Sequence, residues 1–290
     1  MIGITAATGQ LGQLVVQALL DRGVPATQLV ALVRTPEKAA ALAAQGVQVR
    51  HADYHQPDTL GAALQGIEKL LLISSNDFND RVGQHRNVIN AAREAGVQLV
   101  AYTSILNADT ATFGLAADHQ ATEQILRDSG LPFIFLRNGW YTENYTGSAA
   151  QAVQNGALLG AAGTGKLNLA ARRDYAEAAA AVLATDGHIP AGQTGRVYEL
   201  AGDESLTMLD LAAEYARQSG QPVEYRDLPP AEYAATLQSF GVPEGFAHTL
   251  ADVDAGIARG ELSSTSRDLT TLIGRPTTPV RTSVAEALNS

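Results

Sequence analysis

Thr5-Ala6-Ala7-Thr8-Gly9-Gln10-Leu11-Gly12 follows the short apolar run Met1 to Ile4 and leads into apolar residues at helical spacing, Leu11, Val15, Ala18 and Leu19. That order predicts a strand, a tight turn and a helix. The unpaired backbone N–H groups of such a helix N-terminus, with the positive end of its dipole, face a phosphate, which is how a dinucleotide is held. Ala6, Gly9 and Gly12 keep the spacing G-x-x-G-x-x-G with the first glycine replaced. A positive φ at Ala6 would cost on the order of 1 kcal/mol, whereas a negative φ would only crowd the pyrophosphate with a methyl group.

A second chemical signal follows. The apolar run Leu29 to Val33 has the length of a buried parallel strand and ends on Arg34. A carboxylate at that place accepts hydrogen bonds from the adenosine ribose. A guanidinium instead pairs with a 2′-phosphate, and Lys38, one helical turn on, adds a second charge. NADPH is therefore favoured over NADH. The competing reading is an ordinary solvated Arg/Lys pair at a helix start.

Positioning these residues takes an alternating chain. The 290 residues suffice for one large α/β domain with a smaller appendage. Apolar and helical-period segments alternate through Lys69 to Ile73, Val82 to Ala95, Leu99 to Thr103, Ala116 to Asp128 and Phe133 to Leu136. Six strands are expected in a Rossmann-type doubly wound parallel sheet at 1–140. A smaller C-terminal α/β cap at 141–290 is expected to bind substrate and to interleave with the first part. In that second part Tyr141 to Gln154 reads as helix, Leu167 to Ala170 and Val197 to Leu200 as short strands. Tyr175 to Ala184, Met208 to Gln218, Ala231 to Phe240 and Ala247 to Ile257 read as helices.

Composition narrows the function. A net charge of −10 with only three lysines argues against tracking a nucleic-acid backbone. No apolar run approaches the ~20 residues that span a bilayer, and no basic and apolar leader follows Met1, so a cytoplasmic protein without membrane attachment is expected. Zero cysteine excludes disulfides and thiolate chemistry. A homodimer is compatible with the sequence, which does not fix the assembly.

Several runs carry a family likeness. Thr8-Gly9-Gln10-Leu11-Gly12, Val33 to Lys38, Leu71 to Ser75, Gln84-His85-Arg86-Asn87, Tyr102-Thr103-Ser104 and Leu136-Arg137-Asn138-Gly139-Trp140-Tyr141-Thr142-Glu143-Asn144 resemble the NmrA-like branch of atypical short-chain dehydrogenases. The likeness is greatest to its bacterial NADPH:quinone oxidoreductase subgroup. By that resemblance Ala6, Ala7, Thr8, Gly9, Gln10, Leu11, Arg34, Ile73, Ser74, Ser75, Asn138, Gly139, Trp140, Tyr141, Thr142, Glu143 and Arg172 would contact NADPH, with Ala6 the departure from the family pattern.

Typical short-chain dehydrogenases place Lys four residues after a general-acid Tyr, and none of the nine tyrosines here has that partner. The corresponding helix offers His119 and Glu123 instead. Alcohol–ketone chemistry is disfavoured, whereas quinone reduction yields a stabilised hydroquinone anion and depends mainly on positioning. Asn138 and Tyr141 could hydrogen-bond a quinone oxygen, His119 could supply a proton, and Trp140 or Tyr145 could form an aromatic wall or simply pack the seam. A non-catalytic NADP(H) sensor of the NmrA type is the alternative function. Gly160 to Lys166 nearly spells a P-loop but lacks the Ser or Thr for magnesium, and His51 with His55 assembles no ligand set, so no metal is expected.

Overall fold

The structure is a computed structural model that describes residues 1–184 and 195–289. Its strands are β1 (Ile2–Thr5), β2 (Leu29–Val33), β3 (Gln48–His51), β4 (Lys69–Leu72), β5 (Leu99–Ile105), β6 (Phe133–Asn138), β7 (Ala157–Gly160), β8 (Arg196–Leu200) and β9 (Glu224–Asp227). Seven of them form one parallel sheet in the order β3-β2-β1-β4-β5-β6-β8. β2, β4 and β5 are buried along their whole length, which is why they read as unbroken apolar runs rather than alternating ones. Chain order reverses between β1 and β4, and in such sheets the crevice at that switch point takes the ligand.

The chain divides into two compact units. The first comprises Met1–Ile105, Asp118–Arg137 and Arg173–Tyr198; the second comprises Leu106–Ala117, Asn138–Arg172 and Glu199–Ser290. A single cut after residue 140 does not describe this division, because the helix Arg172–Leu183 carries most of its residues in the first unit. The first unit's core gathers Leu32, Leu60, Leu70, Leu72, Ile89, Val100, Tyr102 and Phe135. In the second, β7 and β9 pair in parallel, Ala157 opposite Glu224, and Ala161, Tyr233, Ala234 and Ala251 form a small core.

Several elements differ from the sequence expectation. Val197 to Leu200 is not a separate short strand but, as β8, the seventh strand of the main sheet. Leu167 to Ala170 forms only isolated bridges, Leu167 to Leu206 and Tyr141 to Ala170. The helix expected over Tyr141 to Gln154 is broken at Gly147 and Ser148 into Glu143–Thr146 and Ala149–Asn155. β9 escapes a hydropathy reading because Glu-Tyr-Arg-Asp is polar and mostly exposed.

Within the second unit, two carboxylates from one segment cap the start of helix Gly114–Asp128. Glu261 Oε2 accepts from Thr112 N at 2.9 Å and Phe113 N at 3.3 Å, and Asp252 Oδ2 accepts from Gly114 N at 2.6 Å. Thr112 Oγ1 and Arg259 Nε also donate to Glu261. Burial alone would raise the Glu261 pKa, but the bonds from Arg259 and Thr112 outweigh it and hold the carboxyl down to about 2. A carboxyl depressed from its unfolded value adds stability that is full above the unfolded pKa and is lost as pH falls through the folded one. Glu261→Gln is expected to lower the unfolding free energy at pH 7 by about 2–3 kcal/mol and to flatten its decline between about pH 5 and 2, measured by urea denaturation across that range.

Candidate functional site

β1 delivers the chain to the turn, and its last residue ties the turn to the neighbouring strand. Thr5 Oγ1 donates to Leu71 O at 3.0 Å and accepts from Ile73 N at 2.9 Å, and Tyr54 OH reaches both Thr5 Oγ1 and Ile73 O. Gly9 N then donates to Ala6 O at 2.8 Å, closing the turn. Ala6 has φ +48°, so the costlier of the two conformations foreseen for it is the real one. A Cβ at Gly12 would lie 2.4 Å from Ala6 O and 2.7 Å from Ala7 Cα, so the helix presses against the strand exit.

Helix Gln10–Asp21 starts there with no side chain capping it and no acidic residue in its first turn. Its leading N–H groups keep their capacity for an anion. Arg34, directly after β2, and Lys38 are exposed, and among the described residues neither side chain has a hydrogen bond or ion pair.

Ile73 to Ser75 is held as rigidly. Ser74 N donates to Thr103 Oγ1 at 2.9 Å, and Ser75 N to His85 Nε2 at 2.8 Å. That bond makes Nε2 an acceptor and leaves Nδ1 to donate to Thr122 Oγ1 at 2.9 Å. Burial first, then the Arg81 charge, push His85 down to about 3, so it stays neutral and can keep accepting.

His119 is buried at 5% exposure, with Nδ1 2.8 Å from Tyr102 OH. Burial, reinforced by Arg81 and His85, holds its pKa well below the usual value. A neutral imidazole in this setting is no imidazolium acid at pH 7, which removes the physical basis for His119 as proton source. It is not a surface histidine either. One turn on, Glu123 receives Arg137 Nε at 2.9 Å and Nη2 at 2.7 Å, with both side chains at most 3% exposed, and Ser104 Oγ donates to it at 2.6 Å. The place of the typical Tyr–Lys pair is thus given over to structure.

In the second unit, Leu106 N donates to Asn138 O and Gly139 N to Leu200 O, which fixes the exit of β6. Asn138 Nδ2 donates to Tyr141 OH at 3.2 Å. The phenol's oxygen is used as acceptor there. Burial raises the Tyr141 pKa while the Asn138 bond and the Arg172 charge oppose the rise, and the Arg172 guanidinium lies 5.1 Å from the ring centre. Both Glu143 oxygens accept from Arg172 N, at 2.9 and 3.0 Å, and Thr142 N donates to Ala170 O. Trp140 is half-buried. Helix Arg172–Leu183 starts at Arg172, which places Asp174 inside the first turn rather than at the N-cap.

Among the described residues the buried Asn138 Oδ1 and Thr142 Oγ1 have no hydrogen-bond partner. Buried polar groups are nearly always paired, so these two atoms suit a ligand or ordered water, whereas the unpartnered Tyr145 OH lies among Asp254, Tyr233, Tyr225 and Tyr215. In the first unit the uncapped N–H donors of helix Gln10–Asp21 and the exposed cations Arg34 and Lys38 have the chemistry that NADPH phosphates need.

The near P-loop is filled from within. Ala161 N donates to Asp254 Oδ2, Ala162 N to Tyr225 OH and Gly163 N to Asp227 Oδ1, at 2.8, 3.0 and 2.8 Å. The three consecutive N–H groups that would cradle a phosphate are thus already used. Among the described residues no group of three or more His, Asp or Glu could hold a metal, and His55 Nε2 instead lies 3.2 Å from Asp77.

Residues 6–186 match the NAD(P)H-binding family. Over 289 residues the chain is 53% identical to quinone oxidoreductase 2 of Escherichia coli (strain K12), covering 100% of this chain and 99% of the relative. The crystal structure of the NADPH-dependent quinone oxidoreductase from Escherichia coli complexed with NADPH superposes with a TM-score of 0.94 over 100% of both chains. The Citrobacter sp. triphenylmethane reductase complexed with NADP(H) is 41% identical, with a TM-score of 0.92 over 99% of this chain and 100% of that one. An NmrA-like family domain-containing oxidoreductase, flvB of Aspergillus flavus, is 31% identical over 98% of this chain and 94% of the relative.

Ala6→Gly is expected to raise the unfolding free energy by roughly 0.5–1 kcal/mol, relief of left-handed strain exceeding the extra entropy of the unfolded chain. Chemical denaturation of the two proteins checks this.

Proposed function

The chain belongs to the NAD(P)H-binding family, and from that premise we propose a division of labour among its residues in the NADPH-dependent reduction of quinones. The protein is an NADPH-dependent quinone oxidoreductase. The whole-length identity to an enzyme favours this over a non-catalytic sensor. In the site itself the reading is supported by the unpartnered buried atoms Asn138 Oδ1 and Thr142 Oγ1. When bound, NADPH supplies the hydride.

Ala6, Ala7, Thr8, Gly9, Gln10 and Leu11 hold the pyrophosphate, because the uncapped helix start offers it N–H groups and a favourable dipole. Arg34 and Lys38 take the 2′-phosphate, and Ile73, Ser74 and Ser75 hold the adjoining backbone of the cofactor. Gly139, Trp140, Thr142, Glu143 and Arg172 form the nicotinamide end, with Asn138 Oδ1 as acceptor for the carboxamide. Glu143 orders Arg172 through its backbone N–H, and the guanidinium in turn lies over Tyr141.

Tyr141 meets the acceptor. Hydride delivered to one quinone oxygen leaves the negative charge on the other, and a phenol kept protonated by burial can donate a hydrogen bond to it. Because the product anion is aromatic, solvent can complete its protonation, and no buried general acid is required. His119 has no part in this scheme.

The protein is read as cytoplasmic and as working without nucleic acid, in keeping with a net charge of −10 and with no helix in the described residues long and apolar enough to cross a membrane. A homodimer is the assembly that light scattering would test.

Acceptor-dependent oxidation of NADPH by a panel of benzoquinones and naphthoquinones tests the activity; tight NADPH binding without turnover would overturn it. Arg34→Ala is expected to weaken NADPH binding by about 1.5–3 kcal/mol and to leave NADH nearly unchanged, with calorimetric titration of both nucleotides as the measurement. Tyr141→Phe should retain NADPH affinity while turnover drops, and undiminished turnover would remove the phenol from the chemistry.

A further inference from the structure

A Tyr–Lys pair sets a cation beside the reacting phenol, and no tyrosine of this chain has lysine four residues on. The second unit brings a cation to Tyr141 from another segment. Tyr141 and Ala170 form an isolated parallel bridge, beside which Thr142 N donates to Ala170 O at 3.0 Å and Ala170 N to Trp140 O at 3.4 Å. Arg172 stands two residues past that bridge. Both Glu143 oxygens grip its backbone N–H, at 2.9 and 3.0 Å, and its guanidinium carbon lies 5.1 Å from the centre of the Tyr141 ring.

The half-buried guanidinium keeps its charge unmatched: among the described residues it has no hydrogen bond or ion pair, and the Glu143 carboxylate is turned to the backbone N–H instead. A cation over an aromatic face draws on the electrons of the ring. In a phenol that withdrawal strengthens the O–H as a donor and favours negative charge at the oxygen. The balance at Tyr141 agrees: burial raises its pKa most, the Asn138 bond and then the Arg172 charge oppose the rise, and Glu143 adds to it.

We propose that Arg172 gives Tyr141 the cation that lysine gives in a Tyr–Lys pair, acting over the ring face rather than at the oxygen. It is a positioning residue for the phenol, and Glu143 is the clasp that aims it. The proposal rests on the reading of Tyr141 as hydrogen-bond donor to the acceptor oxygen. A direct contact between Arg172 and NADPH would not make the effect of Arg172 depend on the Tyr141 hydroxyl, whereas a cation that works through the phenol must do so.

A double-mutant cycle on the full chain tests this, using Arg172→Met, Tyr141→Phe and the double variant, none of which removes the backbone N–H that Glu143 holds. With saturating NADPH and 2-methyl-1,4-naphthoquinone, Arg172→Met is expected to lower kcat about three- to tenfold, whereas the double variant should lie within about twofold of Tyr141→Phe alone. Arg172→Lys, which keeps the charge, should recover most of the loss. Calorimetry of the NADP+ complexes with 2-hydroxy-1,4-naphthoquinone, an anion at pH 7 that stands in for the charged product, should show the same coupling without turnover. Losses from Arg172→Met that multiply with those of Tyr141→Phe, or Arg172→Lys no better than Arg172→Met, would overturn the proposal and leave Tyr141 as the donor. If Tyr141→Phe leaves kcat undiminished, the donor reading fails; coupling in anion binding then still upholds the polarised phenol, and independent losses there overturn both.

Discussion

Position 12 tolerates no side chain because the carbonyl of Ala6 and the Cα of Ala7 already stand where its Cβ would be. That steric limit brings helix Gln10–Asp21 down onto the end of β1 and aims its first turn at the switch point between β1 and β4. The proposed cofactor contacts of the first unit are arranged around it: Thr5 ties the turn to the β4 exit, and His85 and Thr103 fix Ser74 and Ser75. A helix standing further out would widen the cradle and lose the phosphate, whatever Arg34 contributed. Ala6 carries the local expense of this closeness as a left-handed backbone with a methyl group.

The neutral groups around the site share one cause. His85, His119, Tyr102 and Tyr141 are all driven toward their uncharged forms by burial. Uncharged donors and acceptors suit a reaction that needs a flat ring held in place and one oxygen polarised, because they do not trap water or counter-ions. The buried charges among them are matched internally, as in the Glu123–Arg137 and Arg81–Asp118 pairs.

Much of this was legible in the sequence because parallel strands buried on both faces leave unbroken apolar runs, and because a glycine-spaced turn and Arg34 fall where those runs end. The family likeness, rather than periodicity, singled out Asn138 to Glu143. β7 and β9 were hidden by shortness and, for β9, by polarity. The burial of His119 left a weak trace: Ala116, His119, Glu123 and Leu126 share one helical face, and all four are buried. Two polar residues on that face masked it. The partnering of Glu123 by Arg137 joins residues 14 apart through the fold and had no local signature.

The buried Glu123–Arg137 couple also constrains ancestry and redesign. Installing a lysine at position 123, as the Tyr–Lys arrangement of typical short-chain dehydrogenases would require, would set two cations face to face in the interior, and neutralising position 137 alone would leave the buried carboxylate with only Arg127 and Ser104. A change from one chemistry to the other therefore calls for replacement at positions 123 and 137 together.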